Sequence, residues 1–166
     1  MTPDQFRAEV GSRLAAAGYA VEQVALPGAP AVVGRRKLFR VRWFLTQLKV
    51  SVVVATVDNV TPDGWQRFAN DAFEVAHAIK GGLPTGIQSG IASVPVLAAA
   101  HVDPYAAGLA RERPRVEWFT GVAMPALVDL TTGQVHQYEG SIVVGAVYAP
   151  FLRKQRDLVT SIVHAA

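Results

Sequence analysis

The feature that most constrains the fold is the apolar stretch at residues 86–100, GIQSGIASVPVLAAA. Its polar side chains are only Gln88, Ser89 and Ser93. A strand of this composition has to bury nearly all of its side chains, on both faces of a sheet. We therefore predict a strand at the centre of its sheet.

A glycine-rich loop, residues 81–90, precedes this strand. Gly81 and Gly82 suit the end of a helix, because glycine takes the left-handed conformation there, and Pro84 prevents the helix from continuing. Exposed backbone amides beside a central strand are typical of ligand sites, although such a loop is also an ordinary helix–strand connection. The candidate ligand-binding residues are Gly82, Thr85, Gly86, Gln88, Ser89 and His101.

The spacing of Gly81 and Gly86 is that of a P-loop, but the pattern is incomplete. Ile87 and Gln88 stand where the motif needs a lysine for the phosphates and a hydroxyl for magnesium. Nucleoside triphosphate hydrolysis is therefore not indicated.

Four helix starts carry recognisable signals. Thr2, Pro3 and Gln5 form a capping box with proline at the first helical position, and Phe6, Val10 and Leu14 follow as an apolar stripe. Similar starts occur at residues 61–63, at residues 103–104 and at Pro150. In the last helix, the pattern predicts Phe151, Leu158 and Ile162 on the buried side and Arg153, Lys154 and Arg156 toward solvent.

Besides the central strand, the predicted strands occupy residues 19–26, 31–36, 38–45, 48–57, 116–129, 135–138 and 141–148. Thr46 and Gln47 are a poor hairpin turn, so a single long bent strand is an alternative to the hairpin between residues 38 and 57. Thr132 and Gly133 predict a hairpin loop with glycine in the left-handed region. The order α-β-β-β-α-β-α-β-β-β-α predicts one α+β domain spanning residues 1–166, with a mixed or mostly antiparallel sheet flanked by about four helices.

The beginning of this order, over residues 3–100, resembles the core of restriction-endonuclease-like nucleases. In this sequence no Glu or Asp is followed two places later by lysine. The variant Gln47-Leu48-Lys49 has no Asp between Asp4 and Asp58 as a partner. The resemblance therefore implies a layout, and no catalytic residue is carried over.

Composition narrows the function classes further. The 166 residues include no cysteine, which excludes disulfides and thiolate chemistry. The N-terminus lacks the pattern of a secretory signal, and no apolar run approaches the length of a membrane span, so we expect a cytoplasmic protein without a membrane partner. Because only 17% of residues are charged and 51% are hydrophobic, we predict a symmetric homodimer. It would bury part of the sheet after residue 115 or the outer side of a helix.

One basic cluster is present, at residues 35–49. Residues 1–57 contain eight of the 16 basic residues but three of the 13 acidic ones. Basic and aromatic residues alternating along a strand are typical of weak nucleic-acid binding, but charges also protect an edge strand from unwanted pairing. The candidate residues are Arg36, Arg40, Arg42 and Lys49.

The four histidines lack the spacing of a metal site, so we predict neither a metal nor another cofactor. No catalytic motif is intact. The leading hypothesis is a domain that acts by binding or self-association. The alternatives are a small-ligand-binding protein or enzyme with its site at residues 81–90, and an inactive nuclease-like domain that binds nucleic acid.

Overall fold

The computed structural model describes residues 1–39, 47–77, 89–113, 116–117, 121–141 and 148–164. Within them the helices are α1 (Pro3–Ala16), α2 (Pro62–His77), α3 (Pro104–Ala110) and α4 (Ala149–Thr160), and a 3₁₀ turn (Ser161–His164) follows α4. The strands are β1 (Ala20–Leu26), β2 (Ala29–Phe39), β3 (Gln47–Val60), β4 (Ser89–Val102), β5 (Val116–Glu117), β6 (Gly121–Ala123), β7 (Ala126–Asp129) and β8 (Val135–Gln137). The predicted α+β class and element order are confirmed.

The strands form one mixed sheet. Strands β1, β2 and β3 are an antiparallel meander, and α2 then crosses over to β4, which runs parallel to β3. On its other side β4 pairs in parallel with β6 and β7, while β5 and β8 lie outside them. Residues 91–99 are buried throughout, so the predicted central strand is confirmed.

Helices cover both faces of the sheet. On one face, which we call the α1 face, side chains such as Val94 and Val96 pack with residues of α1 and α4. On the opposite face, the α2 face, Leu97 and Ala99 pack with α2 and α3. Because successive side chains of a strand point to opposite faces, each position in β2, β3 and β4 is assigned to one face by its neighbours.

The helix starts follow the local chemistry that the sequence indicates. The Thr2 hydroxyl accepts from Gln5 N, and Thr2 N donates to the Gln5 side chain, which completes the capping box. The carboxylate of Asp103 accepts from Tyr105 N and caps α3. Gly18 ends α1 with a φ of 80°, which a residue with a side chain rarely adopts.

Two strand predictions need revision. Gln47 pairs with Phe39 inside the β2–β3 ladder, so it belongs to β3 and not to a turn, and the antiparallel pairing rules out one long bent strand. The predicted strand at residues 116–129 is interrupted twice. The strand predicted at residues 141–148 falls mostly outside the described residues, whereas Gly133 has the predicted left-handed conformation, with a φ of 72°.

The solvent position predicted for Arg156 is wrong. Arg156 is only 4% exposed, and its guanidinium donates to the carbonyl oxygen of Tyr138 at 3.3 Å. The helical pattern alone had placed it with Lys154, which is exposed. The segment after β8 covers this side of α4, and a contact between segments so far apart in sequence has no local signal.

No helix in the described part of the chain has both the length and the apolar character needed to cross a membrane.

Candidate functional site

A row of polar side chains crosses three neighbouring strands on the α2 face. Arg35 of β2 lies opposite Ser51 of β3, which in turn lies opposite Ser93 of β4. Arg35 and Ser51 stand two positions from Val33 and Val53, which are core residues of the α2 face. Ser93 stands four positions from Leu97 of the same core, so all three side chains belong to the α2 face. We call Arg35, Ser51 and Ser93 the polar row.

The polar row contains buried donors without partners. Ser51 and Ser93 are 1% and 2% exposed, and neither hydroxyl has a hydrogen-bond partner among the described residues. Arg35 Nε is also buried and unpaired, although Nη1 of the same guanidinium forms an ion pair with Glu22. Leaving a buried polar group unsatisfied costs about 1–3 kcal/mol, so three in one row require a physical reason.

A pair of lysines lies in the next row along the strands. Lys37 is directly opposite Lys49 in the antiparallel ladder. Lys37 is exposed and Lys49 is half-buried, and both project to the α2 face by the same alternation as Arg35 and Ser51. Neither lysine forms an ion pair with a described residue, and like charges directly opposite each other destabilise a strand pair.

A pocket opens further along β4, on the same face. Ser93 pairs with Ala123 and Val96 pairs with Ala126, so the register is the same on both sides of the gap between β6 and β7. This register places Pro95 opposite Pro125. Met124 N donates to Ser93 O, but Pro95 has no N–H for the next bond of the ladder, and the strand breaks here.

The two prolines form the floor of the pocket, which has a volume of about 260 Å³. One wall is α2, with Trp65, Gln66, Ala69, Asn70 and Phe73, and the other is Leu109 of α3 with Glu112 and Arg113, which follow that helix. We call this the proline pocket. An apolar floor with amide and charged groups at the rim is the usual composition of a site for a small organic molecule.

A third polar cluster joins α3 to β8. Arg111 lies 2.9 Å from Nδ1 of His136, which is 5% exposed. Burial, together with the positive charge of Arg111, lowers the pKa of His136, although the carboxylate of Asp129 acts in the opposite direction. A neutral His136 can accept from Arg111 through Nδ1, so the cluster fastens α3 to the sheet and offers no free base.

Asp129 itself organises the β7–β8 turn. Its Oδ1 accepts from the backbone N–H groups of Thr131 and Thr132. Burial acts to raise the pKa of Asp129, but these hydrogen bonds outweigh it and the pKa lies below the usual value. Oδ1 of this carboxylate therefore holds the turn in place.

The predicted ligand residues are not brought together within the described residues. Gly82, Thr85, Gly86 and Gln88 lie outside them, and Ser89 begins β4. His101 is exposed at the opposite end of β4 from Ser89. The loop hypothesis at residues 81–90 therefore stays a prediction.

The predicted basic patch is described for Arg36 and Lys49, while Arg40 and Arg42 fall outside the described residues. Arg36 has a role inside the fold, since Nη1 donates to Ala17 O at 2.7 Å. Its guanidinium also lies 5.9 Å from the centre of the Tyr19 ring. Arg36 therefore secures the end of α1 on the α1 face, whereas Lys49 projects to the α2 face.

Sequence reasoning missed the polar row and the proline pocket. Ser51 and Ser93 stand in apolar runs, where an isolated serine carries no signal, and nothing in the sequence indicated that Pro95 faces Pro125. The available clue was a polar or proline residue inside a strand that is otherwise buried. Among the residues that the structure describes, no group of three or more His, Asp or Glu is placed to hold a metal ion.

Comparison with known proteins finds no matching family model, no matching curated protein and no matching solved structure.

Proposed function

We propose that this chain is a binding domain for a small organic molecule and that the proline pocket is its site. The observation that supports the proposal is the break in the ladder at Pro95 and Pro125, where the two prolines line an open pocket beside α2 and the end of α3. Prolines are rare inside a sheet because they cannot donate to the ladder, so facing prolines beneath an open pocket indicate a specific use.

The lining defines the kind of ligand. Trp65 and Phe73 offer apolar surface, and the side-chain amides of Gln66 and Asn70 offer donors and acceptors on neighbouring turns of α2. A planar, largely apolar molecule with one hydrogen-bonding edge fits this distribution. The site therefore differs from the loop at residues 81–90 that the sequence suggested.

Two-dimensional NMR with a simple planar probe tests the proposal. Benzamide and indole should shift the amide signals of residues 65–73 and 109–113 in a saturable way. Ala69→Leu places a larger side chain in the pocket and should abolish these shifts, while Ala8→Leu on the exposed side of α1 should preserve them. Shifts that are unchanged by Ala69→Leu, or the absence of shifts with either probe, would refute the proposal.

A second candidate function is self-association through the β1 edge. Strand β1 pairs only with β2 among the described residues, and most of its side chains are exposed. Its sequence AVEQVAL contains no proline or lysine, and its one charged residue, Glu22, is paired with Arg35 of the same sheet, so the edge has little of the usual protection. An antiparallel β1–β1 pair across a twofold axis would extend the sheet into a symmetric dimer.

Light scattering after size exclusion tests this second candidate against the monomer mass of 17.7 kDa. A dimer that becomes monomeric in Gln23→Lys, but not in Ala8→Lys, would support the β1 edge. A dimer insensitive to Gln23→Lys would favour the surfaces predicted after residue 115, which are only partly described. A monomer throughout a dilution series would contradict self-association altogether.

A further inference from the structure

We propose that the polar row and the lysine pair together form a binding site for a small phosphate-type oxyanion. The site lies on the α2 face, and it is separate from the proline pocket. It consists of Arg35, Lys37, Lys49, Ser51 and Ser93. The proposal does not depend on the pocket, because different residues and a different kind of evidence support it.

The residues of the site are close enough to share one ligand. Neighbouring strands are about 4.8 Å apart, and residues two positions apart on one strand are separated by roughly 7 Å. Ser51 therefore has Ser93 beside it on β4 and Lys49 beside it on β3. Lys37 lies across from Lys49, so the cations and the hydroxyls occupy two adjoining rows of one face.

Electrostatics gives the first reason for an anion. The lysine pair places two positive charges directly opposite each other, and Arg35 adds a third on the same face. Of these three cations, Arg35 is the one that forms an ion pair with a described residue, the carboxylate of Glu22. An anion between Lys37 and Lys49 would turn a repulsive strand pair into an attractive one.

The unpaired atoms give an independent reason. Arg35 Nε can only donate a hydrogen bond, and the hydroxyls of Ser51 and Ser93 are donors without an acceptor among the described residues. A metal ion or a ligand ammonium could not satisfy Arg35. An oxyanion supplies several acceptor oxygens at once, and hydrogen bonds to a charged acceptor are the stronger kind.

The burial of the side chains sets the order of the contacts. Lys37 is exposed and Lys49 is half-buried, whereas both serines are almost completely enclosed. The lysines therefore meet the anion first, and the serine hydroxyls reach its inner oxygens only when the side chains that enclose them move apart. A compact tetrahedral ion or a terminal phosphate group suits this arrangement better than a long polyanion, whose charges would extend beyond two lysines.

Calorimetric titration of the intact chain with inorganic phosphate at low ionic strength tests the proposal. We expect saturable binding at one site and a phosphate-dependent rise in Tm. Lys49→Gln should weaken phosphate binding by about tenfold or more, and Lys154→Gln on the exposed side of α4 should not. A nucleoside monophosphate in place of phosphate distinguishes a free ion from a phosphate group carried by a larger ligand.

The serines provide the decisive variant. Ser51→Ala combined with Ser93→Ala removes two unsatisfied hydroxyls, so the Tm without phosphate should be unchanged or higher. Phosphate affinity should nevertheless fall about tenfold, and Ser141→Ala at an exposed position should have no effect.

Unchanged phosphate binding in the double serine variant would overturn the proposal. So would the absence of heat and of any Tm shift with the unmodified chain. Binding of a single-stranded oligonucleotide without binding of phosphate would overturn it in favour of the nucleic-acid hypothesis for the basic cluster.

Discussion

Pro95 faces Pro125 across the parallel ladder between β4 and the interrupted strand formed by β6 and β7. The register continues unchanged past the two prolines, so the interruption is local and does not come from a shift of the strand. The missing N–H of Pro95 accounts for the break. The same two residues form the floor of the proline pocket.

Replacing Pro95 with alanine should repair the ladder. The new N–H of residue 95 can donate the bond that follows Met124 N to Ser93 O, so this amide should be protected against hydrogen exchange. The free energy of unfolding should change by less than about 1 kcal/mol, because the gained hydrogen bond offsets the lost rigidity of the unfolded chain. Rapid exchange of this amide in NMR experiments would contradict our explanation of the break.

The hydrogen bond from Tyr19 Oη to Gln155 Oε1, 2.8 Å long, joins the start of the meander to α4 inside the core. Tyr19→Phe leaves the Gln155 oxygen with one acceptor site unsatisfied and should cost about 1–2 kcal/mol near neutral pH. Tyr105→Phe is the matched control, since Tyr105 is 70% exposed, and should cost almost nothing.

The pH dependence of this effect has a defined sign. Burial raises the pKa of Tyr19 to about 12, although the positive charge of Arg36 acts against it. The unfolded chain loses this proton near 10.0 and the folded chain keeps it, so stability falls as the pH rises above 10.0. The difference in free energy of unfolding between the unmodified chain and Tyr19→Phe should therefore decrease as the pH rises above 10.0. A difference that stays constant in urea titrations across this pH range would contradict the prediction.

His136 should make the protein sensitive to mild acid. Its pKa lies below 6.5 in the folded chain, so the unfolded chain takes up a proton first as the pH falls. The contribution of His136 to the free energy of unfolding is therefore fully present above pH 6.5 and decreases as the pH falls below 6.5. His136→Asn keeps an acceptor for Arg111 but does not titrate. The free energy of unfolding, measured with urea at about pH 5 and pH 7, should therefore differ less between the two pH values in this variant than in the unmodified chain. An equal difference would show that His136 does not contribute.

Two glycines, one in a crowded position and one in an open position, test how closely the core is packed. A Cβ at Gly34 would lie 3.0 Å from Leu14 Cδ1 and 3.3 Å from Tyr19 Cδ1, so Gly34→Ala should destabilise the fold by about 1–3 kcal/mol. A Cβ at Gly11 in α1 would meet nothing within 4 Å, and Gly11→Ala should stabilise it by about 0.5–1 kcal/mol. Thermal unfolding of both variants checks the prediction, which fails if Gly34→Ala matches the unmodified chain.

Local chemistry determined much of this fold from the sequence alone. The caps at Thr2 and Asp103 act over two or three residues, and their partners are therefore visible in the sequence. The central position of β4 followed from its composition, because no other place in a sheet buries such a strand on both faces. The class and the order of elements were predictable for the same reasons.

Only the tertiary structure decided which distant residues meet. Ser51 lies beside Ser93, and Pro95 faces Pro125, because of strand register, which depends on packing across the whole sheet. Arg156 was wrongly assigned to solvent because its partner Tyr138 lies in the segment after β8, which is distant from α4 in sequence. A helical pattern records which side of a helix a residue occupies, but not what else in the chain packs against that side, and the candidate sites of this protein arise from such non-local contacts.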